Sequence, residues 1–223
     1  MMSPLRTAEV PIIGVPTFLG AQIADVEDLR PGDAAMVGLF LDHGDRGRFG
    51  KRFAARQIRY ASAAASVKPP VGPQGRCLDL GDLNVFPLEP VRQEQALKRQ
   101  LDLIVRAGAI PIVVGGRKLP FPLGDCLSSG LTRQMATPWR PLSDEKRFAL
   151  LLDLAPLLDV RCEPQRKSAV LRGLVDIPSE RIGAVHLFGV APDLDVGGRC
   201  EASFAVHVLE GLAAHCIGGQ PCR

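Results

Sequence analysis

The stretch Ala107-Gly-Ala-Ile-Pro-Ile-Val-Val-Gly-Gly-Arg-Lys-Leu119 constrains this chain more than any other. An apolar, β-branched run that ends in paired glycines spells a buried strand running into a tight turn. Gly115 and Gly116 let the backbone turn there without interference from a Cβ. In an α/β sheet, the turn beyond a strand's carboxyl end is where ligands are held. Arg117 and Lys118 therefore stand at the candidate site. A lysine ammonium carries three donors and no acceptor, so it ligates no metal unless it loses a proton.

The residues before this stretch alternate strands and helices. Asp33–Leu41 reads as the first core strand, followed by a Gly-rich loop from Asp42 to Gly50. Arg52–Ser62 reads as a helix, with Phe53 and Ile58 at roughly helical spacing. The Pro- and Gly-rich 67–75 segment is loop, and Leu78-Asp-Leu-Gly-Asp-Leu-Asn-Val-Phe86 is a strand and the turn after it. Gln93–Ala107 is helical by pattern, with Ala96, Leu97, Leu101, Ile104 and Val105 on one face and Gly108 as its cap. Asp79 and Asp82 invite a metal-pair reading. Acidic residues beside a glycine more commonly make turn hydrogen bonds, and that is the role expected here.

Composition removes several classes of function. The 223 residues are 46% hydrophobic and 23% charged, which is globular and not disordered composition. A formal charge of +3, with its basic residues dispersed, gives no nucleic-acid footprint. No apolar run approaches the roughly 20 residues of a membrane span, and the first residues carry no signal-peptide pattern. A cytoplasmic location is the expectation. Cys77, Cys126, Cys162, Cys200, Cys216 and Cys222 form no C-x-x-C pair, so they are expected as reduced thiols, some filling core.

Several motifs together resemble the ureohydrolase family (arginase, agmatinase and relatives). Thr17-Phe-Leu-Gly20 is similar to a segment that precedes the family's first strand. Arg52, Phe53, Ile58, Arg59 and Ser62 match its Arg-Phe-Gly-Pro-x-x-Ile-Arg-x-x-Ser signature, with Ala54 and Ala55 in place of Gly-Pro. Leu78–Asn84 resembles its Asp-Leu-Gly-Asp-x-Asn strand, and Gly115–Leu119 stands where its Gly-Gly-Asp-His-Ser turn should be. The similarity runs almost continuously from about residue 16 to 123. It implies an arginase-like three-layer α/β fold, a mainly parallel sheet with helices on both faces, as one reduced domain over 1–223.

The same resemblance implies that the chemistry is gone. Lys118 stands where the family's metal-binding histidine should be, and no Asp-Ala-His-x-Asp occurs anywhere in the chain. The segment 120–146 diverges, and a strand-helix unit or more is expected to be missing. Phe148–Asp159 derives from one of the family's two aspartate-bearing strands. On either choice Asp153 survives alone, with Ala155 where a second ligand should stand. Ile182–Cys200 resembles the last strand and its loop, in which a glutamate holds the substrate guanidinium. That position is Gly189, and the strand aspartate is His186. A carboxylate matches a guanidinium fork and a glycine offers nothing to it. Gln165–Val175 and Glu201–Ala214 read as helices, the latter with Phe204, Val208 and Leu212 on one face.

His43, His186, His207 and His215 are too scattered for a binuclear site, and structural or surface roles are expected for all four. No catalytic, cofactor-binding or metal-ligating residue is assigned in this chain. Lys118 is read as an internal cation that keeps Asp153 paired without a metal, a hypothesis that tight metal binding by the isolated chain would sink. The expected role is a non-catalytic subunit of a hetero-oligomeric, metal-dependent ureohydrolase, of trimer or hexamer type. Its full-length catalytic homologue would carry a binuclear nickel or manganese centre and cleave a guanidine or biguanide. A free-standing regulatory or ligand-binding protein and an enzyme with relocated chemistry are the alternatives.

Overall fold

The computed structural model describes residues 15–41, 50–86, 89–116, 126–129, 148–155, 177–191 and 201–218. Seven strands form one sheet: β1 (Gln22–Ile23), β2 (Ala34–Gly38), β3 (Cys77–Asp82), β4 (Ile110–Val114), β5 (Cys126–Ser129), β6 (Phe148–Asp153) and β7 (Ile182–Phe188). Their order is β1-β3-β2-β4-β7-β6-β5, and every pairing is parallel. Three helices lie among the described residues: α1 (Ala54–Ala64), α2 (Pro90–Arg106) and α3 (Glu201–Cys216). This is the parallel α/β architecture the sequence predicts.

Alternation along the strands divides the core into two layers. Met36, Ile112, Val114, Leu150, Leu152, Val185 and Leu187 face α1 and α3. Ala35, Val37, Val113, Leu151 and Ala184 face the other way, against Leu97, Leu101 and Ile104 of α2. A central strand covered on both sides has no polar face to offer, which is why 110–114 is uniformly apolar. Pro111 is tolerated inside it because pairing with β7 begins only at Ile112.

The core strand expected within 33–41 is β2, buried along its whole length, and the two-residue β1, exposed at the sheet edge, precedes it. The divergent 120–146 segment contains β5, which pairs with β6 from Cys126↔Ala149 to Ser129↔Leu152. Four residues without an apolar run gave no strand pattern to read. The second helix starts at Pro90, three residues early, as suits a proline in a helix's first turn. Gly108 does end that helix, at φ +78°. The 165–175 helix lies outside the described residues. Among those residues, no helix is long and apolar enough to cross a membrane.

Candidate functional site

The parallel sheet brings the carboxyl ends of its strands to one edge, and Gly115, Gly116, Asp82, Asp153 and Gly189 lie at or just beyond those ends. At the end of β4, Gly115 and Gly116 turn the chain with φ +91° and +67°. The left-handed region costs an L-residue roughly 1–2 kcal/mol, so paired glycines are what such a turn requires. Space forbids a side chain as well, since a Cβ at Gly116 would lie 2.6 Å from the Leu39 side chain. Gly115 N–H donates to Leu187 O at 2.8 Å, and Gly116 N–H to Lys51 O at 3.2 Å. The turn is thus tied to β7 on one side and to the 3-10 turn before α1 on the other.

His186 lies beneath this turn, fully buried on β7, with its ring 4.9 Å from that of Phe188. Its Nε2 is 3.0 Å from Gly115 O. A carbonyl only accepts, so Nε2 carries the hydrogen and donates it. Burial pushes the imidazole pKa down to about 4, against a small opposing pull from the Gly115 carbonyl, and the ring is neutral at pH 7.

One strand further, Asp153 ends β6 half-buried, and its Oδ1 accepts from Ala155 N–H at 3.0 Å. Gly189 follows β7 at φ +85°. A Cβ built there would lie 2.0 Å from Asp153 Oδ1 and 2.8 Å from Ala155 N. The carboxylate therefore fills the space into which any side chain at 189 would have to grow.

Asp79 and Asp82 do not make a metal pair. Arg59 reaches from α1 and donates from Nε to Asp79 Oδ2 at 2.9 Å, and from one Nη to Asp79 Oδ1 at 2.9 Å. The other Nη meets Asp82 Oδ1 at 2.6 Å, and a further bond runs to Gly81 O at 2.8 Å. Asp79 also accepts from the backbone N–H of Phe18 and of Gly81, each at 2.9 Å, and the guanidinium sits 4.0 Å over the Phe18 ring. Burial alone would lower the Arg59 pKa, but the two carboxylates more than offset it and hold the charge firmly. Asp79 makes the expected turn hydrogen bond, to Gly81 N–H, while Asp82 is instead held by Arg59. As a cation holding both aspartates, Arg59 is not apparent from its helix alone, where it is one of several arginines. The signal that could have found it was a pair of aspartates needing a cation, with Arg59 already inside the matched signature.

Among the described residues, no three His, Cys, Asp or Glu side chains converge as a metal set would. His186, a donor to a carbonyl, and Asp153, an acceptor from backbone, are each engaged in hydrogen bonds of their own. The described donor set does not fit a binuclear metal. His207 is exposed on α3, and half-buried His215 hydrogen-bonds Ile177 O through Nε2. Cys77 and Cys216 are buried free thiols, both pushed up to about 12, chiefly by burial. His43, Arg117, Lys118, Cys162, Cys200 and Cys222 lie outside the described residues.

The chain's likenesses agree with this geometry. Residues 32–119 match the model of the arginase family. Human mitochondrial guanidino acid hydrolase is 36% identical over 97 residues, a match spanning 41% of this chain and 28% of that protein's length. In structure, the chain is similar to a hypothetical agmatinase from Burkholderia thailandensis, with TM-score 0.70 at 16% identity, covering 92% of this chain and 91% of that one. It is also similar to proclavaminate amidino hydrolase from Streptomyces clavuligerus, with TM-score 0.67 at 15% identity, covering 92% and 97%. The fold is arginase-like.

Proposed function

We infer that this agmatinase-like chain, whose matched segment and fold support membership of the ureohydrolase family, is the non-catalytic subunit of a heteromeric ureohydrolase. The observation that carries this reading is the interlock of Gly189 and Asp153. The residue aligned with the family's guanidinium-holding glutamate is a glycine, and Asp153 Oδ1 lies 2.0 Å from where its Cβ would be. The position has lost its carboxylate, and its neighbour leaves no room for one.

Chain order supports the same reading. Among the described residues β5 is the next strand after the Gly-Gly turn, so it would stand in for the family strand that reads Asp-Ala-His-x-Asp, and its residues are Cys126-Leu-Ser-Ser129. β6 then takes the place of the later strand and keeps Asp153 alone of its aspartates. The partner would be a full-length homologue with the binuclear nickel or manganese centre. Its reaction would be C–N hydrolysis of a guanidine or biguanide. Metformin, split to guanylurea and dimethylamine, is the candidate that the pattern of degeneration most resembles.

The test is native mass spectrometry with metal analysis, on this chain alone and co-expressed with a full-length ureohydrolase from the same source. A mixed complex, with metal only on the partner and turnover requiring both chains, is the expected outcome. A homo-oligomer that ignores the homologue would sink the subunit reading. Saturable guanidine binding by that homo-oligomer would favour a regulatory protein instead.

A further inference from the structure

We propose that His186 is a positioning residue, a side-chain hydrogen-bond donor that fixes the Gly115–Gly116 turn at the carboxyl end of β4 with no metal ion. Two consecutive left-handed glycines are the most permissive backbone a chain can have, so nothing local holds this turn in one conformation. The carbonyl of Gly115 leaves the line of the sheet, and a buried carbonyl needs a donor. The donor it has is His186 Nε2, at 3.0 Å. Two other ties of the turn among the described residues, Gly115 N–H to Leu187 O and Gly116 N–H to Lys51 O, join backbone to backbone. Among these three, only the His186 bond depends on the identity of a side chain.

The chemistry of that side chain is specific. An aspartate at 186 would be ionised, could only accept, and would set a charge against the Gly115 carbonyl. A neutral imidazole with its hydrogen on Nε2 reverses the polarity and makes the contact attractive. Its full burial also keeps the donor from trading partners with water. The turn out of β4 is thereby set from the neighbouring strand. This inference does not depend on the subunit reading, since the same bond would order the turn in a regulatory protein.

Two measurements on the EDTA-treated full chain test it. Long-range 15N NMR should show His186 as the Nε2–H tautomer, and an Nδ1–H tautomer would overturn the proposal outright. Amide exchange then separates a local role from general packing. In His186→Leu, exchange at Gly115 and Gly116 should rise about tenfold more than at Met36 and Ile112, as expected for one lost hydrogen bond. His186→Gln, which keeps an N–H at similar reach, should recover most of that protection. If the two glycines merely follow Met36 and Ile112 in His186→Leu, or His186→Gln recovers nothing, the residue is core filler. Should His186→Leu fail to fold, the tautomer and His186→Gln still decide.

Discussion

Arg59 shows how one buried charge can organise a neighbourhood. It closes both oxygens of Asp79, one of Asp82 and the carbonyl of Gly81, so its removal strands a carboxylate that is 2% exposed. Breaking a buried pair from one side costs about 3–5 kcal/mol, and Arg59→Leu should lose about that much in urea unfolding. Arg59→Lys should recover only part of it, since a point charge cannot span the two aspartates as a guanidinium fork does. Equal stability of the leucine variant and the parent would refute this account of the knot. Gly189 poses the opposite problem, a position where addition is what hurts. Gly189→Ala should cost roughly 1–2 kcal/mol for the left-handed backbone alone, plus the displacement of Asp153. In an Asp153→Ala background the cost should fall but not vanish, leaving the left-handed backbone and the close approach to Ala155 N, and an identical cost in both backgrounds would show that the two residues are not interlocked. Neither relation was legible as a contact in the sequence. The glycine at 189 and the lone Asp153 were both visible there, but contact between residues 36 positions apart depends on the β6–β7 register, Asp153↔Phe188, which spacing does not give.

At the scale of elements, legibility followed length and burial. β4 and α2 announced themselves because a strand buried on both faces and a long amphipathic helix each impose a period on many residues. β1 and β5 impose none, being two and four residues held by their neighbours' backbone. The Thr17–Gly20 segment falls between these cases. Its resemblance marked it, but Phe18 and Leu19 are fully buried because Asp79, 61 positions later than Phe18, catches the Phe18 N–H. β7 carries a prediction of its own through His186. The folded-state pKa near 4 lies below the 6.5 of an unperturbed imidazole, so the unfolded chain takes up the proton first. Stability from this group is complete above pH 6.5 and falls toward pH 4, at up to about 1.4 kcal/mol per pH unit. Asp33, held below its ordinary range by Arg76 and backbone donors despite burial, loses its contribution only further down in pH. Urea titrations between pH 7 and 4.5 should show the slope in the parent and a shallower one in His186→Leu. Parallel curves would mean that His186 is not the residue taking up the proton.

The whole molecule raises a sharper question, because the arginase-family match stops at residue 119 and the fold does not. The matched segment supplies β2, α1, β3, α2 and β4, yet β4 has β7 as its second neighbour, and α1 packs against α3. Val185 and Leu187 of β7, with Val206, Val208, Leu209 and Leu212 of α3, share one core layer with Met36, Ile58 and Val114. At about 1.5–3 kcal/mol for each large apolar side chain taken out of water, those six residues contribute roughly 10 kcal/mol. That is comparable with the whole net stability of a domain, about 5–15 kcal/mol. The recognisable half of the chain is therefore not a unit that folds alone. A 15–119 fragment should give collapsed amide dispersion and bind a hydrophobic dye, while the full chain should unfold in one transition. A cooperatively folded fragment would overturn this, and would make everything after β4 an appendage. If the fragment fails as expected, the poorly matching second half is maintained by the sheet itself. Stability alone then accounts for β7 and α3, whose buried residues complete the core layer that β2, α1 and β4 begin.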